Sequence, residues 1–109
     1  MISVGESGKI FRYATGYDMS SYTSLDLKFT APDGTVTTKS NPDVVLAGAV
    51  TDPYLGALAA NTYMQLTFDA TLFTSAGSWT VCGTYTNSGT SPVTIYEGAD
   101  ATFTVLAGC

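Results

Sequence analysis

The sequence predicts an all-β chain, an antiparallel sandwich of about 7–8 short strands, and three observations predict it. Strand-favouring residues are abundant, with 18 Thr, 7 Tyr, 5 Phe and one Trp, whereas Glu, Lys, Gln and Arg together number seven. Apolar and polar residues alternate with period two in four separate runs. Turn-forming residues punctuate those runs at short, regular intervals.

Each element follows from its own residues. In Leu25-Asp26-Leu27-Lys28-Phe29-Thr30 the apolar side chains fall on one face. Tyr63-Met64-Gln65-Leu66-Thr67-Phe68 alternates likewise and turns Met64, Leu66 and Phe68 inward. Trp79-Thr80-Val81-Cys82-Gly83-Thr84-Tyr85 puts Trp79, Val81 and Tyr85 on one face and Cys82 on the other. Ala101, Phe103 and Val105 alternate with Thr102 and Thr104. Residues 9–13 and 35–39 make weaker strands. The core expected from these faces is Leu25, Leu27, Phe29, Leu66, Phe68, Trp79, Val81, Phe103 and Val105.

The strongest turn is Ala31-Pro32-Asp33-Gly34-Thr35: proline presets φ, aspartate caps, and glycine accepts the left-handed region. Asn41-Pro42-Asp43, Asp52-Pro53 and Asn87-Ser88-Gly89 are further breakers. Residues 69–77 cross between sheets, with Leu72 or Phe73 plugging the core. Asp69 is a plausible N-cap there, so the expectation includes one short helical turn near 69–75. Residues 41–60 are apolar without clean alternation, and read equally well as middle strands or as an exposed patch.

At 109 residues and 11.4 kDa the chain fits a single domain, 1–109, with one core. Low charge (12%) and a mean hydropathy of +0.19 argue against disorder. No apolar run approaches the ~20 residues of a membrane helix, and the opening residues carry no basic or hydrophobic leader pattern. Four basic residues against nine acidic ones leave no phosphate-binding patch, so neither nucleic acid nor membrane is an expected partner. Histidine is absent, which excludes imidazole acid–base chemistry, Ser-His triads and imidazole metal sites. Asp43 with Asp52, and Glu97 with Asp100, invite a calcium reading, but no EF-hand spacing is present and solvated turn carboxylates explain them better. Two glutamates, Glu6 and Glu97, make a poor glycosidase pair. No catalytic residue, metal or cofactor is therefore expected.

Seven tyrosines exceed what one small core holds. Tyrosine offers rigid contact area with a polar tip and is enriched at interfaces. Tyr17, Tyr22, Tyr54 and Tyr96, in or beside turns, are the candidate interface residues.

The order of motifs adds a likeness. Val4-Gly5-x-x-Gly8 precedes Ile10-Phe11-Arg12, and the polar stretch 18–23 enters Leu25-x-Leu27-x-Phe29. The Pro32-Asp33-Gly34-Thr35 hairpin, Ala76-Gly77-Ser78-Trp79 and a closing Phe103-x-Val105 follow. This succession resembles the small immunoglobulin-like β-sandwich domains of tailed-bacteriophage virion proteins, the N-terminal domain of baseplate upper proteins in particular. The resemblance implies an immunoglobulin-like fold and a structural, non-enzymatic role in the virion, after assembly in the bacterial cytoplasm. Because the chain ends where a fibre region follows in that family, an adaptor subunit joining fibre or baseplate parts to the tail is expected. Its partners would be other virion proteins in a symmetric, multi-copy assembly. A capsid decoration protein is the alternative, and a carbohydrate-binding module using Tyr and Trp79 a more distant one. A protein assembled in reducing cytosol is expected to keep Cys82 and Cys109 as thiols, with a disulfide as the alternative.

Overall fold

The computed structural model describes residues 2–53, 55–89, 94–97 and 101–107, with backbone alone for 94–97. Every element among them is a strand. These are β1 (Ile2–Ser3), β2 (Lys9–Ala14), β3 (Ser24–Thr30), β4 (Val36–Ser40), β5 (Val44–Leu46) and β6 (Val50–Asp52). They continue with β7 (Gly56–Leu58), β8 (Tyr63–Phe68), β9 (Gly77–Asn87), β10 (Thr94–Glu97) and β11 (Ala101–Leu106). The count exceeds the expected seven or eight because β1, β5, β6 and β7 are two or three residues long, too short to show alternation.

The larger sheet runs β1-β11-β9-β3-β4, with β10 also on β9; the smaller runs β2-β8-β5; β6 and β7 form a separate hairpin. The pairing is antiparallel except that β1 lies parallel to β11, with Ile2 opposite Val105. β9 is the spine of the larger sheet. One side pairs with β3 from Ser24↔Thr86 to Thr30↔Thr80. The other side is shared: Glu97 of β10 faces Thr84, and Ala101 of β11 faces Val81. The register of β10 on β9 differs by one residue from that of β11.

Both sheets feed one core. Leu25, Leu27 and Phe29 of β3, Met64, Leu66 and Phe68 of β8, and Trp79, Val81 and Tyr85 of β9 are buried, as is Val105 of β11. Phe103 is only partly buried and packs against that cluster. Phe73 sits on the 69–76 crossing between the sheets, at the centre of an aromatic group. Its ring lies 4.9 Å from Phe68, 5.2 Å from Trp79 and 5.6 Å from both Phe29 and Phe103, all edge-on. Such edge-to-face pairs add about 0.5–1.5 kcal/mol each beyond area burial. Met19, in the polar stretch before β3, is fully buried although no periodicity marks it.

The helical turn expected near 69–75 does not form. Asp69 accepts from the backbone N–H of Thr71 (2.9 Å), and Leu72 N–H reaches the Asp69 carbonyl (3.3 Å), closing a single turn. Phe73 then leaves that turn for the core, so the chain has no length in which to propagate a helix.

Candidate interaction surface

β9 gives the molecule two ends, about 33 Å apart at strand rise. At the Asn87 end, the loop of residues 15–23 crosses beneath the C-terminal half of β9. Its course is fixed by backbone bonds from Met19 N–H to Asn61 O (2.9 Å) and from Thr23 N–H to Thr86 O (2.7 Å). The Thr15 hydroxyl donates to Thr62 O (3.1 Å), and the Thr23 hydroxyl to Thr86 O (3.1 Å).

This loop carries two of the candidate tyrosines. Tyr17 is 39% exposed, and its ring packs on buried Tyr85 with centroids 5.4 Å apart. Tyr22 is half-buried against the core, with its hydroxyl oxygen accepting from Asn41 Nδ2 at 3.2 Å. The backbone of Tyr96 pairs with that of Tyr85, the residue under Tyr17. Three of the four candidates thus lie toward one end, Tyr17 and Tyr22 on the 15–23 loop and Tyr96 by its register with Tyr85. Tyr54 lies outside the described residues.

A second feature escaped the sequence reading. In the smaller sheet Arg12, Gln65 and Tyr63 belong to the face opposite the core, by alternation with Tyr13, Leu66 and Met64. Residues 47–53 and 55–58 fold back over that face. The Tyr63 hydroxyl donates to Gly48 O at 2.5 Å and is buried to 1% exposure despite facing outward. Arg12 Nη1 donates to Asp52 Oδ2 at 2.9 Å, Arg12 Nε to Gln65 Oε1 at 3.3 Å, and Leu55 N–H to Asp52 Oδ1 at 2.9 Å. Asp52, read from sequence as a solvated turn carboxylate, is instead 9% exposed and paired with the only arginine in the chain. Residues 41–60 therefore divide: Val44 is core, the β6–β7 hairpin is pinned across the smaller sheet, and Val45 and Leu55 stay exposed.

At the opposite end, near Gly77, the β3–β4 turn and the 69–76 crossing enclose a small hydroxyl-rich cleft. Ala31 N–H donates to Thr35 O (2.8 Å), Gly34 N–H to Ala31 O (2.9 Å) and Thr35 N–H to Asp33 Oδ1 (2.9 Å). Gly34 holds φ of 92°, which its lack of Cβ allows. The bond from Thr35 holds the Asp33 carboxyl below the usual carboxylate range, and hydrogen bonds from Thr71 do the same for Asp69. Trp79 is 2% exposed and its Nε1 donates to Ser75 O at 2.9 Å, so it presents no open ring face for stacking a sugar.

No cluster of three or more potential metal ligands occurs among the described residues. Cys82 lies half-buried on the outer side of β9, opposite Lys28; Cys109, Asp100 and the side chain of Glu97 lie outside the described residues. No protein-family model, curated protein or solved structure matches the chain.

Proposed function

We propose that this chain is a non-enzymatic structural protein of a tailed-phage virion, an immunoglobulin-like sandwich that acts as an adaptor joining fibre or baseplate components to the tail. The placement of Tyr17, Tyr22 and Tyr96 toward one end, with the Tyr17 ring packed on Tyr85, carries the reading. A rigid, hydrogen-bonded end that bears tyrosines suits docking against another protein, since little side-chain entropy is lost on binding. The succession of hairpin, Trp79 strand and terminal Phe103-x-Val105 supports the placement among virion proteins. Binding in many symmetric copies lets a modest interface hold, because each contact is repeated.

Quantitative mass spectrometry of purified particles of the phage that encodes the chain tests this. A small, ring-like copy number per particle is expected. A number scaling with capsid area would replace the adaptor by a decoration protein, and absence from clean particles would overturn the virion role.

A further inference from the structure

We propose that the cleft between the β3–β4 turn and the 69–76 crossing is a binding site for one neutral, polyhydroxylated ring, such as a single pyranose unit. It encloses about 160 Å³, room for one such ring rather than an oligomer. It is lined by Thr35, Thr37, Thr71, Thr74, Ser75 and Asp33, together with Ala31, Leu72 and Trp79. Hydroxyl side chains both donate and accept, which matches the ambivalent hydroxyls of a sugar. A carboxylate accepts from two neighbouring hydroxyls at once. Leu72 and Trp79 are almost fully buried, so the polar residues make the contacts and no stacking face is required.

Both walls are fixed before any ligand arrives. The β3–β4 turn is closed by the Ala31, Gly34 and Thr35 bonds, and the other wall by Thr71 on Asp69 and Trp79 on Ser75. The turn is seated on β9 where Pro32 meets Gly77: a Cβ at Gly77 would fall 2.9 Å from Pro32 Cγ. Preorganisation of this kind lowers the ordering cost of a weak ligand. Asp33 in the wall, with Asp69 one hydrogen bond behind Thr71, disfavours anionic sugars. The site stands at the opposite end from the tyrosines and does not depend on the virion role.

The test is a titration of the isotope-labelled chain with methyl α-D-glucopyranoside, methyl β-D-galactopyranoside and, as the anionic counterpart, D-glucuronate, followed by amide and indole shifts. Saturable shifts with at least one glycoside are expected at residues 33–37, 71–75 and the Trp79 indole. The dissociation constant should be about 1 mM or weaker, as for a ligand of a dozen heavy atoms. Thr37→Val or Ser75→Ala, each checked for a native spectrum, should weaken binding about fivefold, the loss of one hydrogen bond. No saturable shift with either glycoside, shifts at the tyrosine end instead, affinity unchanged in both variants, or equal binding of glucuronate would each overturn the proposal.

Discussion

The ring of Tyr13, on the smaller sheet, presses against Gly83 in the middle of β9: a Cβ built on Gly83 would stand 2.6 Å from Tyr13 Cε1 and 3.2 Å from Met64 Sδ. The missing side chain at Gly83 is what lets the two sheets close over the core at that point. Tyr13 is buried, so its ring has no free volume to retreat into.

Gly83→Ala should therefore destabilise the fold by about 1–3 kcal/mol through overpacking, measured as a lower denaturant midpoint at unchanged slope. Paired with Tyr13→Leu, which frees space at the contact, the double variant should lose less than the sum of the two single losses. Strict additivity would show that the ring and Gly83 are not coupled.

Trp79→Ala should cost about 3–5 kcal/mol, because it empties the floor beneath the aromatic group centred on Phe73. Trp79→Phe should cost less yet still lose the Nε1 bond to Ser75, loosening the 69–76 crossing. Chemical denaturation reads the first effect, and amide exchange at residues 75–77 the second.

The Arg12–Asp52 pair predicts a local failure. Asp52→Ala removes the acceptor of Leu55 N–H and leaves a largely covered guanidinium without its carboxylate, held among the described residues by Gln65 alone. Stability should fall by about 1–3 kcal/mol. Protection of the Leu55 amide should vanish while β3 and β9 keep theirs, as hydrogen exchange would show. Equal loss of protection in every strand would contradict a pinned hairpin.

How much of this was legible in the sequence follows the physics of each segment. β3, β8, β9 and β11 each have one face in the core, so their alternation could be read directly. Met19 could not be found that way, since a single buried residue in a polar loop has no period. The β6–β7 hairpin lies over the outer face of a sheet, where small residues and three-residue strands erase alternation. Asp69 carried a true capping signal, but capping bonds form in Asx turns as readily as at helix starts. Arg12 and Asp52 are forty residues apart, and no spacing or pattern in the sequence joins them.

Acid should loosen the turns before the core. Asp33, Asp69 and Asp18 have carboxyl groups held below their ordinary range by hydrogen bonds from Thr35, Thr71 and Ser20, and Glu6 by one from Lys9. A group whose folded pKa is depressed stabilises the fold above its unfolded pKa and loses that contribution as pH falls through the folded value. Stability should be level near neutrality and decline progressively below about pH 4. Asp69→Asn should flatten that decline, as thermal melts across the acid range would reveal; an unchanged acid limb would contradict it.

In the proposed role the chain docks through its tyrosine end. Hydroxyl-radical footprinting of the chain, free and within the purified particle, measures this most directly. Tyr17 and Tyr22 should lose reactivity on assembly, while residues of the β3–β4 turn stay as reactive as in the free chain. Undiminished reactivity of both tyrosines in the particle would contradict it.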